Sequence, residues 1–216
     1  MTTSERAHAR RLLTRWERLL PGPSRIGSLI GENLLARWSA PGRRYHDTLH
    51  LDEVLDRLNR LPGGRAVPVR LAAWFHDAVY EPTAEAGASE EASAALLEEL
   101  GPECGFEPPI VAEAMRLVRV TAGHEAGTDD VAAAALIDAD LAILAAGPER
   151  YLDYAAGVRA EYSHVPEDTF ASGRTAVLQG LLDHDPLFVT TVGRARWERA
   201  ARANIAVELR MLRGSG

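Results

Sequence analysis

The segment VPVRLAAWFHDAVY, residues 67–80, constrains the chain more than any other, because it is apolar nearly all the way round. A helix without a polar stripe cannot lie on a surface and has to be enclosed by other elements. Those elements share one periodicity. Leu12, Leu13, Trp16, Leu19 and Leu20 fall on one face of a first helix, which Pro21-Gly22-Pro23 stops. A second helix is expected over about 24–38. A third, over about 45–61, turns Leu49, Val54, Leu55 and Leu58 inward. After the enclosed helix come 89–100 with Ser89 as N-cap, 108–121, and a helix capped by Asp129 or Asp130 that contains DADLAIL. Gly147-Pro148 and Pro166 open two more, and the last runs over about 194–212. No stretch alternates with period two, so no sheet is expected. The pattern predicts an all-α, single compact domain of about ten helices, with no repeats and no long linkers.

Charge narrows the partners. All 24 basic residues are arginine, against 31 acidic residues, for a net charge of -7. An acidic chain does not neutralise a polyanionic backbone, which argues against a nucleic-acid polymer as partner. A local arginine cluster could still receive one small phosphate. The single cysteine, Cys104, excludes a disulfide framework and a cysteine-based zinc site. The opening stretch MTTSERAHARRLLTRWERLLP lacks the apolar run of a signal peptide or a membrane span. The expected location is therefore the cytoplasm, without a membrane partner. Oligomeric state is left open, a homodimer included.

Polar residues inside apolar helices carry the chemistry, since an unpaired polar group there costs free energy. His76-Asp77 sits in the middle of AAWFHDAVY. A divalent cation would compensate both side chains, and so would a hydrogen-bonded pair bridging two helices. His46 and His50 are four residues apart in RRYHDTLHLDEVL, which puts them on one helical face, continuous with Leu49, Val54 and Leu58. IDADLAIL adds Asp138 and Asp140, of which Asp138 suits a capping or arginine-paired role. His124 follows Thr121 at a helix end, either as a further ligand or as a loop histidine. Arg159 and Arg174, flanked by small or apolar residues, and Arg44, beside His46, are the candidates for gripping phosphate; pairing with an acid is the competing role for each.

The ordered series His50, His76-Asp77, Asp140 resembles the HD superfamily of metal-dependent phosphohydrolases. The YHDTLHLDEV segment also resembles the YHNxxHxxDV segment of cyclic-nucleotide phosphodiesterases, which implies that His50 binds metal and His46 protonates the leaving group. Nearly the whole chain after about residue 40 is similar to a bacterial family of HD-type hydrolases. It carries, in order, Arg44-Tyr45-His46, WFHDAVY, Thr121 to His124, DADLAIL, Tyr151 to Tyr162, Gly173-Arg174 and Ala201 to Asn204. Where that family shows Asn-Glu, this chain has Ser89-Glu90. The resemblance implies one HD-type helical domain: helices over 1–40, a metal-site core over 41–145 and C-terminal helices over 146–216. In its two-metal members, histidines from the region of His124 complete the second site.

The implied activity is hydrolysis of a small phosphorylated substrate, a phosphomonoester, nucleotide or cyclic nucleotide, by metal-activated water. One divalent ion or two would be held by His50, His76, Asp77 and Asp140, with His124 as a further ligand. Mixed nitrogen and oxygen ligands suit Mn, Fe, Co, Ni, Zn or Mg alike. Two other readings stay open: a di-iron oxygenase of the same fold, and a non-catalytic nucleotide-binding module.

Overall fold

In the computed structural model, which describes residues 3–214, the enclosed helix is α4 (Val67–Phe75). Val69, Leu71, Ala72, Ala73, Trp74 and Phe75 are all buried on it. It packs against α3 (Thr48–Leu58), α5 (Ala88–Glu103), α6 (Pro108–Val120) and α7 (Val131–Leu141). Around this centre run α1 (Thr3–Glu17), α2 (Arg25–Trp38), a 3-10 turn (Ala142–Ala145), α8 (Pro148–Glu161), α9 (Glu167–Asp183) and α10 (Thr191–Gly214). The fold is all-α, with ten helices and no strand among the described residues, in one compact domain. No single helix there is long and apolar enough to cross a membrane.

Tryptophans lock the N-terminal helices onto the centre. Trp16 lies edge-on to Trp74 at 5.3 Å, and its indole N–H donates to the Gly27 carbonyl at 2.7 Å. The close approach of α1 and α2 requires Gly31, where a Cβ would come within 2.2 Å of the Trp16 ring. Trp38 donates to the Trp74 carbonyl at 3.0 Å, tying α2 to the end of α4.

Three helix starts and ends differ from the periodicity. α3 begins at Thr48 rather than 45, because the Asp47 carboxylate caps it by accepting from the N–H groups of Leu49 and His50. His46 therefore lies in the turn before the helix, not on its face, and Leu49 is exposed rather than inward. α4 stops at Phe75, so His76-Asp77 occupies the turn after it and not its middle. α5 starts behind Gly87, which takes a left-handed φ of 80°, and the Ser89 hydroxyl accepts from the Glu81 N–H instead of capping the helix. Asp130 is the cap of α7, accepting from Ala133.

Asp138 has the capping role. Its carboxylate, fully buried, accepts from the N–H of Val189 at 2.8 Å and from the N–H and hydroxyl of Thr190 at 2.9 and 2.6 Å, at the start of α10. A Cβ at Gly193 would fall 2.2 Å from the same carboxylate, so the glycine makes room for it. Asp138→Ala strands these buried donors and is expected to cost about 3 kcal/mol in urea unfolding. An unchanged unfolding midpoint in the variant would contradict this role.

Candidate metal centre

His50 comes from the first turn of α3, His76 and Asp77 from the turn after α4, and Asp140 from the last turn of α7. Their polar ends meet. His50 Nε2 lies 3.3 Å from His76 Nε2, 3.1 Å from Asp140 Oδ1 and 3.7 Å from Asp77 Oδ2. His76 Nε2 lies 3.2 Å from Asp77 Oδ2 and 3.8 Å from Asp140 Oδ1. Ligand atoms about 2.1 Å from one ion stand about 3.0 Å apart at right angles and about 3.4 Å apart at tetrahedral angles. Three of the five separations fall in that range, and the other two, at 3.7 and 3.8 Å, lie just beyond it. His50, His76 and Asp77 form the cluster that could hold a metal ion, and Asp140 Oδ1 adjoins it on the side of the two histidines.

Hydrogen bonding sets which atoms face inward. His76 Nδ1 donates to the Ala73 carbonyl at 2.9 Å, a partner that can only accept. In the neutral ring Nε2 is then a bare lone pair aimed at two carboxylates, an arrangement that needs a proton or a cation. His50 has no matching anchor, since its buried Nδ1 lacks a hydrogen-bond partner; its ring is fixed by packing on Tyr45 at 4.7 Å and Trp38 at 6.2 Å. The titration of the four groups follows. Burial holds His50 below the ordinary histidine range, and the same burial at His76 is outweighed by Asp77 and Asp140, which raise it well above. Against burial, the histidines hold both carboxyls below the usual carboxylate range. Two carboxylates and two imidazoles in one pocket form a donor set that fits a divalent ion.

His124 joins through Asp140, not through the cluster. Its Nε2 lies 3.2 Å from Oδ2, the carboxylate oxygen that turns away from His50. It is the one non-glycine residue with positive φ among those described, at 52°, a conformation held by its N–H donating to the Val120 carbonyl. Backbone strain of this kind is found where the surroundings over-determine a side-chain position.

His46 stands next to the cluster, its ring 5.9 Å from that of His50 and stacked on Tyr80 at 4.2 Å. Nδ1 is committed to Glu161 Oε2 at 2.7 Å, which leaves Nε2 for the cavity that His46 lines. Glu161 is the residue the sequence reading passed over. Its other oxygen, Oε1, accepts from the backbone N–H of Arg44, Tyr45 and His46 at 2.7, 2.8 and 3.0 Å, while the Tyr80 hydroxyl donates to Oε2 at 3.1 Å. The signal was present: Tyr151, Tyr154, Val158 and Glu161 follow one another by three, four and three residues along the buried face of α8. An acid at the end of that stripe has to be satisfied by the fold. Arg43 has a structural role beside it. It lies between Trp38 and Tyr80 and donates to the carbonyls of His46 and Asp77 at 2.7 Å each, pinning the two turns together.

Of the arginines expected on phosphate, one reaches the cavity and two do not. Arg44 contributes its backbone N–H to Glu161, and its exposed side chain does not line the cavity. Arg159 pairs with Glu167 at 2.8 Å and covers Phe170. Arg174 does reach the cavity wall, with Nε on Glu208 at 2.8 Å and Nη2 on the Tyr154 hydroxyl at 2.7 Å. The cavity measures about 550 Å³, with His46, His76, Asp77, His124 and Asp140 at one end. No protein family model matches the chain, and no curated protein or solved structure is significantly similar to it.

Glu161 gives the site a pH signature. Burial opposes its charged form, but His46 and the backbone donors win and hold the carboxyl at about 2 against an ordinary 4.5. A depressed folded value contributes stability that is complete above pH 4.5 and is lost as pH falls towards 2. Glu161→Gln should lower stability near neutrality by about 3 kcal/mol and flatten its pH dependence across that window. Urea unfolding at a series of pH values reads both; an unchanged acid slope in the variant contradicts the assignment.

Proposed function

We propose that this chain is a metal-dependent hydrolase of small phosphate esters, with His50, His76, Asp77 and Asp140 as its metal ligands. The observation that carries the reading is the cluster of His50, His76 and Asp77 at ligand spacing, with Asp140 Oδ1 3.1 Å from His50 Nε2, beside an oriented histidine that lines a cavity of about 550 Å³. Their order along the chain, which resembles the HD superfamily, supports it further.

A divalent ion in this position would acidify a bound water and offset charge on a phosphoryl oxygen. The chain's own groups supply the rest. Glu161 fixes the His46 ring through Nδ1, so the proton on Nε2 is the one available to a departing oxygen. Burial works against a charged His46, but Glu161, Asp77 and Asp140 raise its pKa, which favours the protonated form that a general acid needs. Trp38 and Tyr45 pack behind the ligand histidines, closing the rear of the cluster to water. His124 on the second oxygen of Asp140 holds that carboxylate in orientation.

Asp77→Ala should lose both bound metal and hydrolysis of phosphate esters. His46→Ala should retain its metal while turnover falls by about 10²–10⁴-fold, the usual worth of a positioned general acid. p-Nitrophenyl phosphate, whose leaving group needs no proton, should suffer less than an alkyl phosphate. Equal losses on the two esters would remove His46 from the acid role, and full activity in Asp77→Ala would overturn the hydrolase reading.

A further inference from the structure

The cavity does not end at the metal cluster. Beyond Asp140 it continues under α9, and there its walls turn apolar, with Ile143 and Leu144 of the 3-10 turn and Val158 of α8 facing Phe170, Val177 and Leu181 of α9. On α9, Phe170, Arg174, Val177 and Leu181 are spaced by four, three and four residues, which makes them one helical face. That face is only partly covered: Phe170 and Leu181 pack half-buried against the core, and Val177 is left open. Of the 17 residues of α9 only Leu178 is buried, and Val177, although it lines the cavity, is 56% exposed. An amphipathic helix normally turns its apolar stripe into the core; here the stripe borders space that is continuous with the cluster.

The charges in this arm are already matched. Arg174 is the single arginine on the wall among the described residues, and its Nε and Nη2 donate to Glu208 and Tyr154. Around the cluster the wall adds Asp77, Asp140 and Glu90. A diphosphate or triphosphate tail brings several negative charges that need cations to receive them. A sugar or nucleobase needs several polar partners, and beside the apolar side chains this end offers only Thr169 and Tyr162, since Tyr154 and Arg174 bind each other.

We infer that the arm beneath α9 seats an apolar organic group, so that the phosphate esters this protein takes are monoesters of alkyl or aryl alcohols, not nucleotides. The inference rests on the hydrolase reading for the phosphate end only; the arm itself is a property of α8, α9 and the 3-10 turn.

Calorimetry with methyl-, propyl- and hexylphosphonate on the metal-loaded protein tests it. Affinity should rise by about threefold to fourfold per added methylene, and hexylphosphonate should bind tighter than adenosine monophosphate. Val177→Asn, a neutral change at a half-exposed position, should weaken hexylphosphonate about tenfold and methylphosphonate far less, with the helical circular dichroism unaltered. Thermal shifts with 1-octanol on chelator-stripped protein probe the arm without metal or phosphate, and the shift should shrink in Val177→Asn. Equal affinities along the phosphonate series, or tighter binding of the nucleotide, overturn the inference and leave the hydrolase reading standing. Octanol binding that Val177→Asn weakens, without binding of any phosphonate, keeps the arm and overturns the hydrolase reading instead.

Discussion

A single carboxylate, Glu161, holds the parts of the site in register. One oxygen gathers three successive backbone N–H groups of the turn at 44–46, and the other takes His46 and the Tyr80 hydroxyl. A turn whose donors were left in the interior would cost several kcal/mol, so the turn and the acid require each other. Where that turn stops, Asp47 caps α3, and the cap fixes the angle at which His50 enters the cluster. Through Tyr80 the same acid reaches the segment that follows His76-Asp77. Arg43 closes the ring from the opposite side by binding the carbonyls of His46 and Asp77. The two stretches that bring ligands are therefore clamped by polar contacts, while the hydrophobic core fixes only the helices from which they come.

The adjacent carboxylates of α7 divide the labour. Asp138 and Asp140 lie two residues apart and point to opposite sides of one buried helix. Asp138 satisfies the N-terminus of α10, and Asp140 faces two histidines of the cluster and a third beside it. Neither could be buried without such partners. The helix is otherwise alanine, leucine and isoleucine, so its position is set by packing on α3, α4 and α6 as much as by the acids.

Much of this was legible in the sequence. The all-round apolar segment and the 3.6-residue spacing of Leu12, Trp16, Val54 and Leu58 forced an all-helical fold, and all four are buried. The same polarity argument marked His50, His76, Asp77 and Asp140, because a histidine or aspartate among core residues needs compensation. Helix boundaries were less legible. Periodicity continues through a turn whenever its apolar residues still face inward, as Tyr45 and Ala78 do, so α3 and α4 were read too long. The partners of the candidate arginines were illegible for a different reason. A guanidinium's partner is a tertiary fact: Arg159 finds Glu167 nearby, and Arg174 finds Glu208 from another helix. Nothing local to VRAEY or SGRTA reveals either.

The sparse attachment of α9 has a further meaning for motion. Local opening is cheapest where few apolar side chains must leave the core, and on α9 Leu178 alone is fully enclosed, with Phe170, Leu181 and Leu182 packed half-buried beside it. None of the clustered residues sits on α9; they come from α3, α7 and the turn after α4. The cluster and α9 thus border one cavity from separate elements, and a change on α9 need not disturb the atoms at its far end.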